Sequence, residues 1–431
     1  MIYPKTALKT DLPLGLSVFS DSNRNGCDQL TETFIAMTQA EPTHSSSDGI
    51  ANHRCYLEKL LGIPSTEGND LTFLRNGCEI FPAMLQDIEE AKHSIEFLTF
   101  VYWKGDIATE FATTLGKKAK QGLVVRVLLD SFGASSMDDG LVETMIEEGV
   151  DVRWFRPFSS MKIWRYDNRT HRKVLVCDNR VAYTGGVGIA KEWEGNARNP
   201  DEWRETHVRV EGPAVDGLIG SFWDNWIEAA PGDFPKFDTN GDDQPQKGED
   251  QILVLRSISR DTGSDVANMM RGIIGQARKT LWIATPYFVI DEPMVDLLCE
   301  KAKEGVEVKI LLPGPHLDRR FEWYAAAKTF ESLLEGGVEI HRYDQTMMHQ
   351  KLMLVDGETS IIGSANFNQR SQRRDAEIVI AVFSKSRHEE LKGHFEEDLK
   401  HAHQENEGSW AHRPWWKRIT ERFVRAFKSQ L

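Results

Sequence analysis

Residues 171–178 read HRKVLVCD and residues 349–356 read HQKLMLVD. Each is a His-x-Lys pair, four apolar residues and an Asp. Four apolar residues in a row suit a short strand buried on both faces. His and Lys two apart on an extended chain point to the same face. His171 with Lys173, and His349 with Lys351, are therefore expected at a strand end, facing a cleft. Asp178 and Asp356 fall beyond the strand, where a carboxylate orients or caps.

The pattern belongs to a longer repeat. AKHSIEFLTFVYW (from Ala91) parallels ARKTLWIATPYFV (from Ala277), GLVVRVLLD (from Gly122) parallels GVEVKILLP (from Gly305), and EEGVDVRWF (from Glu147) parallels EGGVEIHRY (from Glu335). Matched blocks in one order at nearly constant spacing make an internal duplication. Within each copy amphipathic helices alternate with apolar strands; Met84, Leu85, Ile88 and Ala91, for example, share one helical face. The alternation predicts an α/β fold of mostly parallel sheets covered by helices. Residues 71–230 form the first half and 251–405 the second. The linker between them, 231–250 (PGDFPKFDTNGDDQPQKGED), is rich in Pro, Gly and Asp. Residues 1–70 are unassigned, with loops at 41–48 and 64–69 and room for a small helical hairpin between. Residues 406–431 form a C-terminal tail.

The 431 residues are 40% hydrophobic and 27% charged, an ordinary globular balance. A formal net charge of -14 counts against a general nucleic-acid binder. The longest apolar stretch, Leu281–Ile290, is about half of the roughly 20 residues a membrane span requires. The opening MIYPKTALKTDLPLG lacks the charged-then-apolar order of a signal peptide. The 5 cysteines are odd in number and without CxxC spacing, which fits a reducing compartment and gives no sign of a zinc site.

If the duplication brings the two His-Lys pairs together, they suit phosphoryl chemistry. One imidazole attacks phosphorus to form a phosphohistidine. The other protonates the leaving alcohol and then deprotonates the incoming one. Lys173 and Lys351 neutralise the developing charge. No metal or other cofactor is required. In the second copy, GSANFN supplies Ser364 and Asn366 as neutral hydrogen-bonding groups. The first copy has Gly186 and Gly188 at those positions, so the halves are chemically unequal. Carboxylates follow both motifs: Glu205 in WRETH, then Asp375 and Glu377 in RRDAE. A carboxylate on the second ring nitrogen of a histidine fixes its tautomer and raises its basicity.

The doubled His-x-Lys-x-x-x-x-Asp resembles the phospholipase D superfamily, and within it the bacterial cardiolipin synthases. Further stretches carrying the likeness are NGCEIFPAMLQDIEEAKHSIEFLTFVYW, WRETHVRVEGPAV, TPYFVIDEPMVDLL and GSANFNQRS. The resemblance implies two phospholipase D-like α/β/α sandwich halves forming one shared active site. It implies a metal-independent phosphatidyl transfer with phospholipid substrates, phosphatidylglycerol first among them. By motif match His171 and His349 are nucleophile and general acid/base, with His171 favoured as nucleophile. Lys173, Lys351 and Asn366 bind phosphate. Glu205 is similar to the acidic partner of the first His and Glu377 to that of the second. Two departures stand out. The family usually keeps Asn where this chain has Gly188, and no stretch here reads as the two membrane helices usual at the family's N-terminus. Rival readings are a hydrolase that resolves the same intermediate with water, a metal-independent nuclease and a non-enzymatic scaffold.

In the tail, Trp415, Trp416, Ile419, Phe423, Phe427 and Leu431 share one helical face. Arg413, Lys417, Arg418, Arg422, Arg425 and Lys428 stand against the single acid Glu421. A basic, Trp-bearing amphipathic helix suits an anionic lipid surface. The expectation is a peripheral protein on the cytoplasmic face of the cell membrane, with no nucleic-acid partner.

Overall fold

The computed structural model describes residues 46–157, 168–236, 244–257, 264–318 and 320–406. The tail lies outside them, as do the first 45 residues. The first half contributes strands β1 (Thr66–Arg75), β2 (Ser94–Thr99), β3 (Val124–Asp130), β4 (Asp151–Phe155), β5 (Val174–Cys177), β6 (Val181–Gly185) and β7 (Thr206–Glu211). The second contributes β8 (Asp250–Ser257), β9 (Thr280–Ala284), β10 (Phe288–Val289), β11 (Glu307–Pro313), β12 (Glu339–Tyr343), β13 (Leu352–Val355), β14 (Thr359–Gly363), β15 (Phe367–Asn368), β16 (Glu377–Phe383) and β17 (Ala402–Gln404). The apolar runs of the two motifs are β5 and β13, buried at every position.

Fifteen of these strands form one sheet, ordered β17-β12-β11-β9-β13-β14-β16-β8-β1-β7-β6-β5-β2-β3-β4, while β10 pairs with β15. Outward from β8 the order repeats that outward from β1. The duplication is thus a pseudo-two-fold whose axis passes between β1 and β8, which pair antiparallel. One apolar layer is common to both halves. Phe222 and Trp226 of helix Val215–Ala229, and Leu391 and Phe395 of helix Lys385–Leu399, belong to one buried cluster with strand residues of each half. On the other face each half has its own cluster, so helices cover both faces of the sheet.

The expected mostly parallel sheet is corrected to a mixed one. Among the ladders of the large sheet, parallel pairing is confined to β2-β3-β4 and β9-β11-β12, and the small β10-β15 pair is also parallel. The motif strands run antiparallel to both neighbours. The cause is the tight return after each motif. Asp178 and Asn179 have φ of 55° and 52°, and Asp356 and Gly357 have 54° and 75°. Successive left-handed residues of this kind make hairpins, and apolar burial alone does not encode strand direction.

Asp178 and Asp356 occupy these turns. Asp178 accepts the backbone N–H groups of Lys92, His93 and Ser94 at 2.8, 2.7 and 3.0 Å. Asp356 accepts those of Arg278, Lys279 and Thr280 at 3.0, 2.7 and 3.0 Å. Each carboxylate fastens its hairpin to the start of the neighbouring strand, β2 or β9. A four-residue strand, about 13 Å long, separates it from the His-Lys end. Asp178 and Asp356, expected among the catalytic residues, thus sit at the far end of the motif strand from the His-Lys pair, where their hydrogen bonds are those of turn caps.

The half boundaries also shift. β1 begins at Thr66, inside the segment left unassigned, and between the two expected loops the described residues form one helix, Ser46–Leu61, in place of a hairpin. This helix packs on the second half. Leu57 enters the second-half cluster and His53 Nδ1 meets Thr359 Oγ1 at 3.0 Å.

Replacing Asp356 with Ala should lower unfolding free energy by about 2 kcal/mol through loss of its backbone hydrogen bonds, read by urea denaturation. Catalytic turnover per folded molecule should stay near wild type; a collapse of turnover in folded protein would return Asp356 to the reaction.

Candidate active site

The two histidines are placed by hydrogen bonds that cross the seam between halves. His171 N–H donates to the Ala376 carbonyl at 2.9 Å, and Ala376 N–H to the Arg169 carbonyl at 2.8 Å. His349 N–H donates to the Arg204 carbonyl at 2.8 Å, and Arg204 N–H to the Met347 carbonyl at 2.9 Å. Ala376 precedes Glu377 and Arg204 precedes Glu205. Each histidine is thus held against the other half's carboxylate. His171 Nδ1 lies 3.2 Å from both oxygens of Glu377, and His349 Nδ1 lies 2.7 Å from Glu205 Oε2. This corrects the motif-based pairing, which put Glu205 with His171 and Glu377 with His349. Strands β7 and β16 flank β1 and β8, so the carboxylates at their starts reach across the axis.

Both lysines are buried beside their histidines. Lys173 Nζ donates to the His171 carbonyl at 2.7 Å. Lys351 Nζ donates to the His349 carbonyl and lies 3.0 Å from His349 Nδ1. Burial, then repulsion from Lys351, lowers Lys173 to about 7, and burial lowers Lys351 to about 8. Burial and the neighbouring Lys173 lower His171 to about 4, against the pull of Glu377. Burial lifts Glu205 to about 7, opposed by Lys351. Burial also pushes Glu377 up, yet His171, Lys173 and the Ser364 hydroxyl hold it below the usual carboxylate range. These mutual effects tie both motifs into one electrostatic cluster.

Aromatic rings close around the imidazoles. The Phe100 ring centre is 5.0 Å from that of His171, and Lys173 Nζ sits 5.2 Å from the Phe100 centre. Trp193 and Trp203 lie 5.1 and 5.3 Å from His349, and Tyr287 lies 6.4 Å away. Such walls limit water access and strengthen the electrostatics within.

The unequal halves have a steric basis. Ser364 Oγ donates to Glu377. At the matching Gly186, a Cβ would fall 2.3 Å from Glu205 Oε2, so the carboxylate already fills the space a hydroxymethyl group needs. A Cβ at Gly188 would fall 2.8 Å from the Val101 side chain and 3.0 Å from the Trp193 ring. The ring that meets His349 therefore occupies the room an Asn would take. Asn366 is buried, and its Oδ1 has no hydrogen-bond partner among the described residues. Asp375 accepts Arg169 N–H at 3.1 Å and Arg370 Nε–H at 2.8 Å, which braces the segment leading to His171.

Sequence reading did not single out Phe100, Trp193, Trp203, Arg204 or Asn76. Asn76, left-handed at φ 57°, donates its N–H to the Glu205 carbonyl at 3.0 Å and accepts Glu205 N–H on Oδ1 at 3.1 Å. Trp203 and Arg204 directly precede Glu205 in WRETH, and that adjacency is the one sequence signal of their role.

A duplicated α/β fold with two crossed His-Lys-carboxylate sets defines a member of the phospholipase D superfamily. The family model described as cardiolipin synthase, phospholipase D-like domain, matches residues 84–212 and 270–399. Cardiolipin synthase 1 of Bacillus anthracis is 31% identical over 377 residues, covering 86% of this chain and 74% of that protein. The cardiolipin synthase of Clostridium perfringens strain 13 is 32% identical over 345 residues, covering 78% and 71%. The chain belongs to the cardiolipin synthase family, whose members are phosphatidyltransferases of the phospholipase D superfamily. Among solved structures, the phosphatidylserine synthase of Haemophilus influenzae shares the fold at a TM-score of 0.67 and 14% identity, covering 88% of this chain and 100% of that one. A polyphosphate kinase from Porphyromonas gingivalis does so at 0.54 and 13%, covering 84% and 54%.

The buried charges set a pH profile. kcat/KM should rise as His171 loses its proton near pH 4, and fall above roughly pH 7 to 8 as Lys173 and Lys351 lose theirs. Initial rates from pH 4 to 10 test this; a plateau extending to pH 10 contradicts it.

Proposed function

We propose that the protein transfers a phosphatidyl group between two phosphatidylglycerol molecules through a phosphohistidine, yielding cardiolipin and glycerol. The observation that carries this reading is the crossed pairing of His171 with Glu377 and of His349 with Glu205. With Nδ1 turned to a carboxylate, Nε2 is the ring nitrogen assigned to substrate, and at His349 it also lies 3.3 Å from Lys351 Nζ.

His171, neutral at physiological pH, is the nucleophile. Its Nε2 forms a bond to phosphorus as the bond from phosphorus to the glycerol oxygen breaks, and protonated His349 gives its proton to the departing alkoxide. A hydroxyl of the second phosphatidylglycerol then attacks phosphorus. Its proton passes to His349, and the phosphorus–nitrogen bond breaks to release cardiolipin. Lys173, Lys351 and Asn366 bind the phosphate oxygens, while Glu377 and Glu205 orient the imidazoles and stabilise their protonated forms. Transition-state charge falls among buried donors, where low dielectric makes each count for more than in water.

Attachment to the membrane fits this substrate. Among the described residues no helix is long and apolar enough to cross a bilayer. The cations and aromatic residues of 409–431 hold the enzyme peripherally, on the cytoplasmic face of the cell membrane.

Mass spectrometry of lipids after incubation with phosphatidylglycerol vesicles tests the reaction. Cardiolipin plus glycerol is expected, and phosphatidic acid plus glycerol would make the enzyme a hydrolase. His171→Ala and His349→Ala should each reduce turnover by about 10³-fold or more, and chelators should leave the rate unchanged. Deleting residues 409–431 should weaken co-sedimentation with anionic vesicles; unchanged sedimentation refutes the role given to the tail.

A further inference from the structure

Parallel neighbours β9 and β11 end at the same edge of the sheet, and β13, antiparallel to β9, begins there. The loops that follow β9 and β11 therefore border the start of β13, which His349 and Lys351 precede. Tyr287 lies in the first of these loops and Asp318 in the second. The Tyr287 ring stands edge-on to His349, at an interplanar angle of 89°. Its hydroxyl donates to Asp318. Thr285 Oγ1 donates to the Tyr287 carbonyl at 3.2 Å and accepts Phe367 N–H at 3.3 Å, which ties this loop to the GSANFN segment.

His349 is buried, Tyr287 half-buried and Asp318 exposed, so the three lead from the base to solvent. Burial lowers Lys351, and Glu205, Glu377 and Asp318 oppose that lowering, so the Asp318 charge is felt inside the site. In the internal repeat Tyr287 falls opposite Val101, and the first half offers no hydroxyl at this position.

A carboxylate accepts hydrogen bonds and donates none, and a phenol oxygen that has given its own hydrogen can still accept. The pair therefore suits a ligand rich in hydroxyl donors. A glycerol headgroup is one: it joins phosphorus through one carbon and carries free hydroxyls on the next two. An ammonium headgroup would also match a carboxylate, but it would meet the like charges of Lys351 and protonated His349 nearby.

We infer that Tyr287 and Asp318 form the subsite for the vicinal diol of the alcohol handled by His349. Asp318 accepts the hydroxyls, and Tyr287 holds Asp318 in place. The inference rests on the reaction proposed above and names the groups that select a glycerol headgroup there. Sites built to bond a substrate hydroxyl discriminate strongly against analogues that lack it.

Donor choice tests this with the full chain. kcat/KM for consumption of phosphatidylglycerol is compared with that for phosphatidylpropanol, which keeps the three-carbon headgroup without free hydroxyls. The wild-type ratio should favour phosphatidylglycerol by about tenfold or more and fall toward one in Asp318→Ala. Tyr287→Phe, which keeps the ring beside His349, should lower it by a smaller factor. Loss of the Asp318 charge near Lys351 slows both donors alike and cancels in the ratio. A ratio unchanged in Asp318→Ala overturns the inference, as does a wild-type ratio near one. Preference for phosphatidylethanolamine over phosphatidylglycerol, lost in Asp318→Ala, gives the carboxylate to an ammonium and overturns it too. Consumption of none of these donors refutes the proposed reaction and the subsite with it. The ratio counts donor consumed by either route, whereas the products, cardiolipin or phosphatidic acid, report transfer or hydrolysis; failure of the subsite is thus distinct from failure of the transferase reading.

Discussion

Six ionisable side chains, two each of His, Lys and Glu, are packed into the seam of this protein, all nearly out of contact with water. Burying an unpaired ion costs several kcal/mol even after the protein relaxes. The cluster is tolerable because each imidazole meets a carboxylate, and each carboxylate comes from the opposite half. Neither half alone satisfies its own histidine. The antiparallel contact of β1 with β8 brings β7 and β16 to the axis. From it follow the continuous sheet, the shared apolar layer and the single site.

The same arrangement makes two similar motifs chemically unequal. Ser364 lends Glu377 a hydroxyl, and Glu377 stays below the usual carboxylate range. Gly186 lends Glu205 nothing, and Glu205 rises to about 7. The glycine is required where it stands, since a Cβ would press on the carboxylate. Among the described residues, aromatic rings extend the inequality: Phe100 beside His171, and Trp193, Trp203 and Tyr287 around His349. The duplicated motifs thus form one site with two differentiated ends.

Much of this was legible in the sequence. Short apolar runs mark buried strands wherever they occur, so β5 and β13 and the His-Lys pairs at their ends could be placed from spacing alone. Glu205 and Glu377 could be named because carboxylates recur after each motif. Their partners could not, because the crossing depends on which strands meet at the seam, a contact between residues far apart in the chain. Strand direction was misread for a related reason. It is set by left-handed turns at Asp178–Asn179 and Asp356–Gly357, and a run such as VLVC reads alike in either sense. Asn76 and Gly188 matter through backbone angle and close approach, which composition does not report.

Helix Ser46–Leu61 precedes the first half in the chain but rests on the second, where His53 meets Thr359 across 306 residues of sequence. During synthesis the helix leaves the ribosome long before its seat exists. The seat includes β14, built only after the second motif has been translated. The early helix therefore docks late, and its docking marks the completion of both halves. A nascent chain that stops between them would expose the apolar side of this helix, a surface chaperones and proteases act on.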